Sequence, residues 1–219
     1  MLTHHEEKLE NIRESVSDLA ANITKSSNNI LLGLETKDKN SFLEARTNLK
    51  NIENGANLID NEIITSLALF GAEATDLREL VAYLKITNEL VRIADNLKGF
   101  AKNISKYTED ENFSFYQDNA IQLCKTTASS IAYVALSFEK EQNIEDIYTK
   151  IKVEESKNDD LYSILQKNIL SKITEDFDFT ANFIEILSTM RKLEKTADRS
   201  VAVVKLMLFA RGGGKLKLY

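Results

Sequence analysis

The chain has 219 residues, no proline, seven glycines and one cysteine, and its 28 basic and 34 acidic side chains give a net charge of −6. That length can build one large core or two small ones, and so few turn residues exclude the loop-rich architectures of sandwiches and barrels. Acids outnumber bases in both halves, so the basic footprint of a nucleic-acid binder is missing, and a lone cysteine excludes a disulfide framework or a cysteine-rich metal site.

Membrane insertion finds no support either. The apolar runs are only a few residues long, far short of the span of about 18 that a bilayer requires. The opening Met1-Leu2-Thr3-His4-His5-Glu6-Glu7 does not have the form of a signal peptide. A cytoplasmic protein, peripheral to a membrane at most, is expected.

Taken in chain order, the sequence predicts six long antiparallel helices over residues 4–35, 39–73, 76–107, 113–140, 143–174 and 178–211. His4 and His5 fall at the frayed start of the first. The third opens with Asp76-Leu77-Arg78-Glu79, the Asp-x-x-Glu form of a capping box. At 100° per residue, its Leu77, Leu80, Val81, Leu84 and Val91 form one apolar stripe. Ile86, Leu90, Ile93, Leu97 and Ile104 form a second stripe, with Arg78, Lys85, Glu89 and Arg92 on the flank between. A helix apolar on two sides is covered on two sides, by its own unit and by a neighbouring one. In the fourth helix Cys124, among Ile121, Ala128 and Ile131, reads as a packed core thiol. Gly212-Gly213-Gly214-Lys215 follows a helix and lacks Walker spacing, so it reads as a helix stop with a loose tail.

The fifth and sixth helices carry the chemistry. Glu155 and Asp159 lie one turn apart on one face, as do Glu194 and Asp198. In an antiparallel hairpin, facing residues are equidistant from the turn. Glu155 with Asp198 and Asp159 with Glu194 are both centred between residues 176 and 177, inside the predicted turn. Four carboxylates then face one another, and Glu194 and Asp198 share their stripe with Ile184, Leu187 and Ala202, which predicts that they point inward. Inward carboxylates need cations, protons or basic partners. With no histidine or cysteine nearby, the set suits hard ions such as Mg²⁺, Mn²⁺ or ferric iron. A salt-bridge network with Arg191, Lys195 or Lys152 is the alternative.

The halves read as a repeat, 1–108 and 109–219, the second ending in a flexible tail. Ile59-Asp60 corresponds to Asn158-Asp159, and Arg92-Ile93-Ala94-Asp95 to Lys195-Thr196-Ala197-Asp198. In the first repeat the matching rungs are Asp60 with Val91 and Ala56 with Asp95, so only the two carboxylates of Asp60 and Asp95 remain. A metal there would bind weakly. The fold class is thus all-α, two tandem three-helix bundles.

The run from Asp76-Leu77-Arg78-Glu79 through Leu84-Lys85-Ile86 to Arg92-Ile93-Ala94-Asp95-Asn96, with Leu193-Glu194-Lys195-Thr196-Ala197-Asp198 in the last helix, resembles the PhoU family of phosphate-uptake regulators. In that family the third helix begins Asp-Leu-Arg, reaches an Arg-Ile-Gly-Asp-His box, and repeats a Glu/Asp-x-x-x-Asp motif. The resemblance implies a cytoplasmic, non-enzymatic pair of three-helix bundles whose motifs bind iron, zinc or other divalent metals. It also implies partners: the ATPase of a phosphate ABC transporter and a sensor histidine kinase of two-component signalling, with negative regulation of uptake and of the starvation response. Carried over by position, the metal ligands are Glu155, Asp159, Glu194, Asp198, Asp60 and Asp95. Val91 and Ala56 depart from the motif, and Ala94-Asp95-Asn96 stands where Gly-Asp-His is usual. A homodimer is left open.

Two other functions compete. A ferritin-like di-iron enzyme needs Glu-x-x-His from two helices, and the only histidines are His4 and His5. A metal-free scaffold, or an adaptor for another transporter, would hold the same carboxylates in salt bridges.

Overall fold

The computed structural model describes residues 2–70, 74–108, 113–175 and 180–213. They form seven helices: α1 (Leu2–Thr36), α2 (Lys39–Leu49), α3 (Ile52–Phe70), α4 (Ala74–Tyr107), α5 (Phe113–Leu136), α6 (Ile144–Glu175) and α7 (Thr180–Gly212). No strand occurs among the described residues. The α6–α7 turn, the side chains of His4 and His5 and the tail after Gly213 lie outside them.

The fold has six arms, because α2 and α3 are two segments of the single helix expected over 39–73. The break falls at Lys50–Asn51, where Lys50 N bonds Thr47 O at 3.3 Å and Asn51 N bonds Asn48 O at 3.5 Å. Shorter three-residue bonds replace the helical ladder at a cluster of asparagines whose side chains compete with backbone bonding. Just past the break Gly55 lies against α1; a Cβ there would meet Leu19 Cδ2 at 2.8 Å. Turns elsewhere are tight. Lys37 adopts φ 57° after α1, a left-handed conformation that costs about 1 kcal/mol for a residue with a side chain. Asp38 then caps α2, accepting from Asn40 N at 3.0 Å and Ser41 N at 3.1 Å.

Two further boundaries differ from the expectation. α4 begins at Ala74, so Asp76 lies inside its first turn and Glu79 is no capping partner. Glu79 instead receives Arg13 Nε and a terminal Arg13 nitrogen, both at 2.6 Å, and the Tyr83 hydroxyl at 2.7 Å. α5 ends at Leu136 rather than 140. The chain turns there because Ser137 Oγ bonds Val134 O at 2.6 Å, Phe138 packs on Tyr83, and Asn143 caps α6 through Asp146 N at 3.0 Å. At the other end Gly213, at φ 75°, bonds Phe209 O and stops α7 as read from the glycine run.

Helices α1 to α4 pack among themselves, as do α5 to α7. The sets meet along α1–α5 and, most extensively, along α4–α7, over one continuous core. The α4–α7 pair runs antiparallel: Asn103 Nδ2 donates to Thr189 Oγ1 at 3.2 Å and Arg199 to Glu89 at 2.8 Å. Ile86, Leu90, Ile93, Leu97 and Ile104 are fully buried, each stabilising the fold by about 2 kcal/mol. The stripe of α4 that begins at Leu77 is covered only in part. Leu80 is buried and Leu84 and Val91 pack on the core edge, but Leu77 is 45% exposed. Cys124 is buried, and burial pushes its thiol up to about 12.

A cavity of about 830 Å³ lies where α1, α4, α7 and the α5–α6 turn meet. Its basic residues are engaged: Arg13 holds Glu79, Lys140 holds Glu10, and Arg211 donates to the carbonyls of Glu139 and Gln142.

Candidate functional site

The site is built from the middle of the α6–α7 hairpin and is oriented from α5. Asn158, fully buried, donates through Nδ2 to Leu123 O at 3.1 Å, Thr126 Oγ1 at 2.7 Å and Thr127 Oγ1 at 2.9 Å. Thr127 Oγ1 also lies 3.4 Å from Leu193 O of α7. This amide fixes the rotation of α6 about its axis, so its neighbours Glu155 and Asp159 turn toward α7. The sequence repeat aligns Asn158 with Ile59 and by itself assigns it no role. A polar residue at a position otherwise spaced like a core residue was the available signal.

Glu155, Asp159 and Asp198 each place a carboxylate oxygen within 4.8 Å of the other two. Oxygens around one hard cation, at roughly 2.1 to 2.5 Å from it, are separated by distances of this order. An all-carboxylate donor set without nitrogen or sulfur fits Mg²⁺, Mn²⁺ or ferric iron. Glu194, one turn before Asp198 and 14% exposed, stands outside the triad and is held by Lys195. Its Oε2 is buried without a hydrogen bond among the described residues.

The cluster points inward only in part: Glu194 and Glu155 are 14% and 17% exposed, and the other two acids face water more. Asp159 is exposed, Asp198 is 36% exposed, and Ile184 on the same stripe is 58% exposed. The buried face of α7 runs instead through Phe183, Ile186, Met190, Leu193 and Ala197. The carboxylates form a half-open rim on the hairpin, where a hydrated ion can approach.

Two of the three basic residues weighed as partners engage. Lys195 Nζ bridges Glu194 at 3.1 Å and Asp198 at 2.8 Å, and Lys152 Nζ holds Glu155 at 2.9 Å. Arg191 lies over the ring of Tyr162, its guanidinium carbon 6.0 Å from the centroid. Asp159 has no such lysine bond among the described residues. Partial burial, then the charges of Glu155, Asp198 and Glu194, push its carboxyl above the ordinary range. The Asp198 hydrogen bond holds Lys195 above its ordinary range, and the Glu155 bond does the same for Lys152.

In the first repeat the two candidate ligands each take another partner. Asp60 is half-buried and accepts the Thr87 hydroxyl at 2.7 Å. Asp95, read as lying among apolar residues, is 58% exposed and paired with Lys98 at 2.6 Å. Its stripe on α4 is the one left partly uncovered. Ala56 and Val91 occupy the other two positions, and no cluster of three potential ligands forms there among the described residues.

The chain is similar to known proteins in sequence and in shape. Residues 16–104 match the PhoU domain. The phosphate-specific transport system accessory protein PhoU homologue of Borreliella burgdorferi is 27% identical over 223 residues, 96% of each chain. That of Streptococcus pneumoniae serotype 4 is 23% identical over 207 residues, 94% of each. A Xylella fastidiosa homologue is 27% identical over 156 residues, and the chain spans 64% of its length. The crystal structure of the phosphate transport system regulatory protein PhoU from Streptococcus pneumoniae superposes with a TM-score of 0.83 at 21% identity, over 97% of this chain and 99% of that one. PhoU from Pseudomonas aeruginosa does so with 0.76 at 18%, over 95% and 99%. The chain thus matches the PhoU domain within its first half, aligns with proteins named PhoU homologues along nearly its whole length, and shares the helix arrangement of two PhoU structures.

Proposed function

We propose that this protein is a metal-binding accessory regulator of phosphate uptake, acting by contact rather than by turnover. Its partners in this reading are the ATPase of a phosphate ABC transporter and a sensor histidine kinase, met at the cytoplasmic face of the membrane. The reading is supported chiefly by relatives that align over 94 to 96% of both chains and bear the name of phosphate-specific transport accessory proteins. Among the described residues no helix is long and apolar enough to cross a membrane, which fits an adaptor. The Glu155, Asp159 and Asp198 triad would hold the cation, with Glu194 beside it, and Asp60 and Asp95 would contribute a weaker second site at most. A bound cation neutralises the rim and fixes the α6–α7 hairpin as a rigid docking surface.

Deleting the gene tests the regulatory reading. Phosphate-starvation genes should be expressed when phosphate is plentiful, and a transporter ATPase or sensor kinase should co-purify with the tagged protein. Unchanged transcription at high and low phosphate, with neither partner recovered, rejects it.

A metal-free scaffold is the second reading. It is favoured by Lys195 and Lys152, which already neutralise part of the cluster. Elemental analysis of the purified protein separates the two.

A further inference from the structure

A cavity of about 350 Å³ opens between α4 and α7, walled by Lys85, Asn88, Glu89 and Arg92 of α4 and Arg199 and Leu206 of α7. In a chain of net charge −6, three cations here surround one carboxylate. The groove continues into a smaller cavity that shares Glu89 and Arg199 and adds Lys195 and Asp198.

The cations are more than one structural ion pair requires. Arg199 donates to Glu89 Oε2 at 2.8 Å, and this pair bridges the two helices with 28% and 24% of the side chains exposed. The Arg199 Nε is buried and has no hydrogen bond among the described residues. Arg92 is held by a single neutral contact, Nε to Asn88 Oδ1 at 3.1 Å. Lys85, one turn before Glu89, has no ion-pair partner among the described residues. Placing Lys85 and Arg92 beside Arg199 costs repulsion that a bound anion would remove.

We infer that this groove binds inorganic phosphate. Two guanidinium forks and an ammonium offer charge-assisted donors matched to tetrahedral oxygens. The volume lies at the small end of ligand pockets, which run from roughly 300 to 1,000 Å³, and suits one anion with its waters better than a nucleotide. Glu89 supplies the selectivity. Its Oε1 makes no hydrogen bond among the described residues, so it can accept the P–OH of hydrogen phosphate. Sulfate carries no proton at neutral pH and meets the same carboxylate as repulsion. The inference rests on the groove alone and stands independently of the regulatory role.

The test is calorimetric titration of the full, metal-stripped chain with sodium phosphate and, separately, sodium sulfate at low ionic strength. The expected result is saturable phosphate binding, one per chain, with sulfate weaker by about tenfold, the worth of one charge-assisted hydrogen bond. R92Q and K85Q alter exposed residues and should weaken phosphate by about three- to tenfold each with unchanged circular dichroism. E89Q should bring the two anions to similar affinity. Absence of saturable phosphate binding, equal affinities in the unaltered protein, or undiminished binding in both R92Q and K85Q would each overturn the inference.

Discussion

Asp159 of α6 and Asp198 of α7, far apart in sequence, hold carboxylate oxygens within 4.8 Å of each other across the hairpin. Like charges at this separation repel unless a cation or a proton intervenes. Lys195 attends to Asp198 and leaves Asp159 as the least compensated member. The rim is therefore poised for a further positive charge, with Asp159 as its most exposed ligand.

Removing ligands from the triad should remove the ion. The double variant Asp159→Asn, Asp198→Asn should lose most bound Mn²⁺ in equilibrium dialysis. Asp60→Asn and Asp95→Asn should each retain it, since one is satisfied by Thr87 and the other by Lys98. Equal losses from both groups would reject the assignment.

Without metal, the same residue should destabilise the fold. The folded-state pKa of Asp159 is raised above the ordinary 3.8, so the folded protein binds a proton more readily than the unfolded chain. Its contribution is unfavourable at neutral pH and relaxes as pH falls toward the folded pKa. Asp159→Asn should raise the thermal midpoint in chelator at pH 7, and the gain should shrink on acidification. A lower midpoint at pH 7 would show that Asp159 is already compensated.

The Arg13–Glu79 pair should behave in the opposite sense. Burial pushes the Glu79 carboxyl up, but the Arg13 and Tyr83 hydrogen bonds outweigh it and hold the pKa below the ordinary 4.5. Its stabilisation is present above that value and is lost as pH falls through the folded pKa. Arg13→Ala leaves a largely buried charge with Tyr83 alone and should cost about 2 kcal/mol at pH 7. Urea melts should show that penalty shrinking below pH 4.5, where the unaltered protein also weakens.

Asn158 should matter to both fold and site. Asn158→Ala removes three hydrogen bonds to α5 and leaves a gap in the core, at a cost of about 2 kcal/mol. Because this amide sets the rotation of α6, the variant should also bind Mn²⁺ more weakly at temperatures where circular dichroism shows it folded. Full affinity in a folded variant would mean that the core of α5 does not position the carboxylates.

The sequence by itself determined the all-α class and the pairing of residues across the last hairpin. Absent proline and a 3.6-residue period admit little besides long helices, and antiparallel geometry makes facing positions equidistant from the turn. That is why spacing alone places Glu155 and Asp198 opposite each other. Only the tertiary structure decided which stripe faces water, because periodicity says which residues share a side and not what covers that side. Asp95 and Asp159 lie outward because the neighbouring helices cover other faces of α4 and α6. The break at Lys50–Asn51, the recruitment of Glu79 by Arg13 and the basic groove between Arg92 and Arg199 were not legible for a related reason. The groove and the Arg13 contact join residues from distant segments, and asparagines at 48, 51 and 54 lower helix propensity without deciding by themselves that a long helix is interrupted.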